Sequence, residues 1–348
     1  MAARRPALSA LSSLILVLGL LYVAQSIFIP LAFSLFIVAL VWPLQAYLER
    51  RIPQLLALLI TLAVTIATVV VVGSTVLWGF GKLGQWLFAN AGRFQAIYAD
   101  WTGWLEEHGI AIVGPLADRF DVLWLVGATQ SVATRLNGFA AFAALVFIFV
   151  MLALLEVGQF TKRLGGPGLS PWGETVLASN REIGRKMRRF MAVRTLASVL
   201  TGFVVWGFAK IAGLELAVAW GAIAFALNYI PFLGPLIATL FPTMFAMAQF
   251  ESWQMAVFVF VCLNVIQFII GSYFEPLLTG ASLAISPLAV IFAVFFWSFM
   301  WGIAGAFIGV PILIATLVYC DKAAATRWIA ALFMDDDFAD AAVPAGEA

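Results

Sequence analysis

The chain has 348 residues, of which 64% are hydrophobic and 11% charged, and its net charge is +1. Soluble globular domains are far less apolar, and several runs here exceed the roughly 18 apolar residues at which a segment reads as membrane-spanning. That composition excludes a soluble domain, and it excludes a nucleic-acid-binding module because the basic residues flank apolar runs instead of forming a domain of their own.

Residues 1–81 carry the N-terminal spans. Arg4 and Arg5 precede an apolar run from Leu8 to Phe28. A signal peptide cut near Ala24 is one reading, but the run is long for one and a second apolar segment follows at once, which favours an uncleaved span. Full spans are predicted at 8–28, 30–47, 55–80, 137–156, 194–213 and 253–273. Two further apolar stretches, 216–249 and 285–320, are broken.

Residues 82–136 read as an outer insertion. Leu83, Trp86, Leu87, Phe94, Ile97, Tyr98, Trp101 and Trp104 recur at helical spacing. They predict amphipathic helices lying at the outer membrane surface, or a small helical cap packed on itself. Residues 137–193 hold the fourth span, the loop Leu164–Pro171 and a basic helix, R-E-I-G-R-K-M-R-R-F (Arg181–Phe190), that runs into the fifth span. A basic segment of this kind reads as a topology signal facing anionic lipid; a gating role for one of its arginines is the sharper alternative. Fourteen of the 19 Lys and Arg residues fall on the side that includes Arg4, Arg50, Arg181 and Lys322. The bias predicts both termini in the cytoplasm, with an acidic tail at 321–348.

The core of the prediction is 194–320. One break reads L-N-Y-I-P-F-L-G-P (Leu227–Pro235), the other M-W-G-I-A-G-A-F-I-G-V-P (Met300–Pro311). Lipid leaves no water for free N–H and C=O groups, so broken helices persist there only beside protein or a polar cavity. Paired breaks point to a transport site. Residues 216–229 would cover about 21 Å as a helix, short of the roughly 30 Å hydrocarbon layer. Each stretch is therefore predicted to be a re-entrant helical hairpin, with a single kinked crossing as the competing drawing. No Lys or Arg lies between Ile211 and Asp321 to choose between them. With the spans 194–213 and 253–273 the hairpins would form an inverted repeat. Leu216 to Gly234 and Pro287 to Gly305 echo each other, each placing a glycine 18 residues on.

The pathway candidates follow from these breaks. Pro231 lacks a donor and would free carbonyls near Leu227. Gly234 permits the reversal, and Asn228 beside Tyr229 offers an amide to a substrate or to a neighbouring helix. Gly305 and Gly309 form a G-x-x-x-G pattern whose ordinary meaning is close helix packing. Ionisable groups in lipid are functional candidates by default, and here they are few: Glu156, Lys210, Glu215 and Glu275, the last followed by Pro276. Asn264 and Gln267 share a helical face, and Glu275, 11 positions beyond Asn264, falls near it. Arg194 and Glu156 are the candidates for gating or coupling.

Catalytic chemistry lacks its groups. No Asp occurs between Val122 and Cys320, the single His is His108, and no G-x-x-x-x-G-K-[ST] loop is present. Cys262 and Cys320 sit in apolar stretches without metal-ligand spacing. No cofactor, metal or enzyme activity is expected.

Three stretches resemble the autoinducer-2 exporter (AI-2E) family of bacterial membrane proteins: F-M-A-V-R-T-L-A-S-V-L-T-G (Phe190–Gly202), W-G-A-I-A-F-A-L-N-Y-I-P-F-L-G (Trp220–Gly234), and E-P-L-L-T-G-A-S-L (Glu275–Leu283) continuing through F-F-W-S-F-M-W-G-I-A-G to G-V-P (Gly309–Pro311). The chain departs from the pattern at Phe232 and Pro235, where members often carry a small polar pair, and at Leu277 and Ala281, where a basic residue is frequent. The resemblance implies a bacterial inner-membrane permease, homo-oligomeric and embedded in lipid, that exports a small solute or signalling molecule. Some members are linked to sodium–proton exchange, so a cation/proton antiporter using Glu275 or Glu156 is the second reading. A non-transporting membrane scaffold whose insertion binds a partner is the third.

Overall fold

A computed structural model describes residues 4–90, 92, 93, 103, 123–166, 168, 169, 172–279 and 285–334. Among these the chain is helical, with one isolated β-bridge, Ile285 to Met334, and no strand. The helices are α1 (Arg4–Val23), α2 (Gln25–Glu49), α3 (Gln54–Ala89), α4 (Leu123–Leu164), α5 (Trp172–Ile211), α6 (Ala217–Leu227), α7 (Leu233–Phe250) and α8 (Trp253–Ile269). A π-helical turn (Ile270–Phe274) and a short helix (Glu275–Thr279) extend α8, and α9 (Pro287–Lys322) and α10 (Arg327–Phe333) complete the order. By length and composition alone seven helical segments could cross a bilayer: α2, α3, the 141–164 part of α4, α5, α7, α8 with its extension, and α9, the last taken across its break at Gly302. The protein is an all-α polytopic membrane protein.

Within lipid, helices satisfy their own backbone, and several hydroxyls turn back onto it. Thr65 donates to the Thr61 carbonyl at 2.7 Å and Thr201 to that of Ala197 at 2.8 Å.

Some boundaries differ from expectation. The first two helices meet at Ala24 (φ −95°, ψ 29°), five residues before the expected junction, and Pro30 is buried inside α2. The turn is nonetheless bonded, with Ile27 and Phe28 N–H donating to the Ala24 carbonyl. The helices α3, α4 and α5 run unbroken through 81/82, 136/137 and 193/194. Those positions mark changes of composition, and a change of composition does not oblige a helix to end. Of the insertion's apolar set, Leu83, Trp86 and Leu87 lie on α3 and join one hydrophobic cluster. Phe94, Ile97, Tyr98, Trp101, Trp104 and His108 lie outside the described residues, as does the tail from 335 onward.

The chain divides into two compact units. The first comprises Met1–Thr65, Phe142–Ala192 and Thr279–Ala348. Its core joins Phe36, Met187, Trp301, Ile308 and Val318 in one cluster and Leu58, Val146, Val150 and Leu154 in another. Phe33 stacks on Phe307 at 5.7 Å and meets Phe142 edge-on at 5.4 Å. Trp301 Nε1 donates to the Leu21 carbonyl at 3.1 Å. Near the end of the described chain, the Ser286 N–H donates to the Phe333 carbonyl at 2.9 Å, next to the Ile285–Met334 bridge. The entrance to α9 is thereby fastened to the exit of α10.

The second unit comprises Ile66–Ala141 and Val193–Leu278. Trp220, Ile223, Phe245, Leu263 and Val205 form its core, with the Trp86 ring 4.0 Å from Phe245. Trp86 Nε1 also donates to Glu215. At the α5–α6 corner, where Gly213 and Leu216 take positive φ, the Gln249 amide accepts from Glu215 N–H and donates to the Gly213 carbonyl.

Each unit contains one of the two expected hairpins. In the second unit α6 packs against α7 after a reversal at 228–232. Phe232 takes φ 63°, ψ −54°, and Leu233 N–H donates to the Pro231 carbonyl at 2.7 Å, which is a γ-turn. A Cβ on Gly234 would overlap the Leu227 carbonyl. In the first unit α9 is interrupted at Gly302 (φ 62°, ψ −143°). A Cβ on Gly305 would overlap the Trp297 carbonyl, and one on Gly309 would sit 3.0 Å from the Ala293 carbonyl. In a straight helix residues 293 and 309 would stand about 24 Å apart. The kinked-crossing drawing therefore fails, because both stretches double back. The glycine echo of the sequence marks a shared local geometry: each glycine lets a carbonyl from the end of the first arm approach the start of the second.

Candidate functional site

In the second unit, a polar cluster is built on a helix contact between glycines. Gly202 on α5 and Gly221 on α6 face each other, and a Cβ on Gly221 would come within 2.7 Å of the Gly202 carbonyl. Small residues at such a crossing let the backbones approach closely. The approach carries the end of α6 along α5, so that Asn228 Nδ2 donates to Ser198 Oγ at 3.3 Å and Tyr229 Oη to Thr195 Oγ1 at 3.1 Å. Asn228 is buried. A buried amide needs a partner, and the serine hydroxyl supplies it.

One turn earlier on α5, Arg194 Nη1 donates to Glu275 Oε1 at 2.5 Å, with the side chains 12% and 25% exposed. The π-turn positions the carboxylate. Pro276 has no N–H and its ring crowds the preceding turn, so a helix approaching it opens out. Glu275 N–H accordingly donates five residues back, to the Ile270 carbonyl. That extra residue per turn shifts the phase of everything beyond it. π-turns of this kind are common at functional sites.

The expected polar stripe along α8 consequently does not form as drawn. Asn264 is exposed and its amide returns to the Phe260 carbonyl on its own helix at 2.8 Å. Gln267 turns inward, and its buried Nε2 has no partner among the described residues. Glu275 leaves both and pairs with Arg194.

Pro231 is buried at the γ-turn, but the Leu227 carbonyl it was expected to free accepts from Ile230 N–H at 2.9 Å. Gly305 and Gly309 do mark close packing, between the two arms of one hairpin. Glu156 is exposed on α4 in the first unit and makes no ion pair among the described residues. The cluster thus unites Arg194, Asn228, Tyr229 and Glu275, with Pro276 as the cause of the turn; Gly234 shapes the adjacent reversal.

Thr195 and Ser198 were not singled out in the sequence. The signal existed: Arg194, Thr195, Ser198, Thr201 and Gly202 recur at three- and four-residue steps in an apolar run, which is one helical face. One donor in the cluster is left over, since Arg194 Nε is buried without a hydrogen-bond partner. The arrangement offers a partly buried ion pair, an amide, two hydroxyls and a spare guanidinium N–H. It can bind and exchange polar partners. Among the described residues no group of His, Cys, Asp and Glu gathers to hold a metal.

The chain is similar to known proteins over most of its length. The AI-2 transport protein TqsA of Escherichia coli (strain K12) is 26% identical over 331 residues, covering 93% of this chain and 94% of that protein. A Borreliella burgdorferi protein named "Putative transport protein" is 24% identical, covering 88% and 84% respectively. A Haemophilus influenzae protein of the same name is 24% identical, covering 94% and 96%. The sequence pattern described as AI-2E family transporter matches residues 11–324. With nearly the whole chain matched, two helical reversals in place and seven helices fit to span a bilayer, this membrane protein belongs to the AI-2E transporter family.

Proposed function

We propose that this transporter works as a secondary exporter of a small polar solute, with the Arg194–Glu275 pair as the element that cargo or a coupling ion opens. The observation that carries the reading is the pair itself. A partly buried cation and anion are held against each other at a π-turn while Arg194 Nε still lacks an acceptor. Ion pairs inside a membrane core are costly and are retained where they serve transport. Asn228, Tyr229, Thr195 and Ser198 supply the neutral hydrogen-bonding groups a polar cargo needs. The relative named for AI-2 transport makes AI-2 the first cargo to assay. The same reading takes the protein as homo-oligomeric in a bacterial inner membrane, in contact with lipid, without nucleic acid as a partner.

Proteoliposomes loaded with AI-2 provide the test. Wild-type protein should release cargo faster than empty liposomes, and Glu275→Gln should reduce release at least tenfold with the protein still folded. Release by Glu275→Gln at the wild-type rate would refute the assignment. Cation/proton exchange is supported by the same carboxylate, because a proton or cation on Glu275 would displace Arg194. It predicts an internal pH change when sodium is added to proteoliposomes without cargo, and an unchanged pH dismisses it.

A further inference from the structure

The first unit contains a cavity of about 1220 Å³ that the transport reading does not use. Its lining includes apolar residues, among them Trp42 of α2 and Pro311 of α9. It also includes Arg181, Arg185 and Arg188, spaced on α5 at steps of four and three residues, and Lys322. Four cations therefore line one cavity. Its one acidic lining residue is Glu182, which already lies 3.1 Å from Lys186 Nζ and 3.4 Å from Lys322 Nζ. Among the described residues none of the three arginines forms an ion pair.

Arg188 shows how the site is built. Its Nη1 donates to the carbonyl of Ala39 on α2, another lining residue, at 2.8 Å. Gly184 makes room, since a Cβ there would meet that nitrogen at 3.0 Å. A guanidinium has five N–H donors in a fixed fork, so this anchoring bond orients the group and leaves donors for a ligand. Arg185 stands three positions away on the same face, and like charges at that spacing repel until an anion lies between them. Arg181 and Arg185 are exposed and Arg188 is half-buried, and all three line a cavity shared with apolar residues of α2 and α9, the form that basic pockets for anionic head groups take between membrane helices.

We propose that this cavity binds a phosphate-bearing amphiphile, its phosphate held by Arg181, Arg185 and Arg188 and its apolar body lying against Trp42 and Pro311. Arginine forks match phosphate oxygens in pairs. An anionic lipid and a soluble alkyl phosphate offer the same chemistry, and the test separates them. The full chain in phosphatidylcholine nanodiscs is titrated calorimetrically with hexyl phosphate and with dioctanoyl phosphatidylglycerol. Saturable binding of either probe is expected, weakened at least tenfold in R185A/R188A and unchanged in R50A/R51A, whose arginines lie outside the cavity. Tighter binding of the soluble probe identifies a solute site, and tighter binding of the lipid a headgroup site. Should the double variant not fold, the exposed single change Arg185→Gln replaces it, with a threefold or greater loss expected. Failure of both probes to saturate, undiminished binding by the arginine variants, or an equal loss in R50A/R51A overturns the proposal. Cargo flux plays no part in these readouts, so the outcome is independent of the exporter reading.

Discussion

At position 194 an arginine faces a glutamate across a partly buried ion pair, and the arithmetic of desolvated charge governs what either can become. Removing one partner strands the other, at a cost of about 2 kcal/mol for a pair this well covered, whereas replacing both with apolar residues costs less. Arg194→Leu and Glu275→Leu should therefore each lower the thermal unfolding midpoint in detergent more than the double variant does. Additive losses would show the pair to be uncoupled. Phe232 presents the opposite case. Its φ of 63° with ψ of −54° is a strained backbone for any residue carrying a Cβ. Phe232→Gly should raise stability by about 1 kcal/mol, read as a higher denaturation midpoint, and a lower midpoint would contradict the γ-turn. Neither feature was fully legible from the residues. Arg194 and Glu275 were each singled out, but their meeting depends on the phase shift at the π-turn, which an 11-residue spacing argument cannot supply.

At the scale of elements, the hairpins were legible because glycine and proline leave marks that helical periodicity does not hide. The strings Leu227–Pro235 and Met300–Pro311 located both reversals, and the 18-residue echo anticipated their common local geometry. What the strings did not reveal was which backbone atoms the glycines admit. With that known, the substitutions rank. Gly234→Ala and Gly305→Ala drive a methyl into a carbonyl held by its own hairpin and should each cost about 3 kcal/mol or more. Gly309→Ala meets its carbonyl at 3.0 Å and should be milder. Fluorescence-detected size-exclusion chromatography after graded heating would order the three. A Gly309 variant failing before the others would show that the arms are held elsewhere. Helix ends were less legible than breaks: α3, α4 and α5 continue through aromatic and basic sequence because backbone bonding, once started, is indifferent to which side chains it carries.

For the molecule as a whole, composition was decisive: a chain 64% hydrophobic has no soluble alternative, and the seven apolar helices follow. Charge placement carries the remaining large-scale expectation. With 14 of 19 basic residues assigned to one side, fluorescent protein fused to either terminus should fold and fluoresce in the cytoplasm, while alkaline phosphatase at the same positions should stay inactive. An active phosphatase at either end would invert the scheme.

The bond from Ser286 to Phe333 ties residues 47 positions apart into a closed loop, and this has a genetic corollary. A premature stop codon around 327 would delete α10, a segment of seven residues that touches none of the candidate transport groups. Even so, it would unlatch the second hairpin at its root. Nonsense alleles there should behave as severe, as should Ser286→Pro, which removes the N–H that makes the bond.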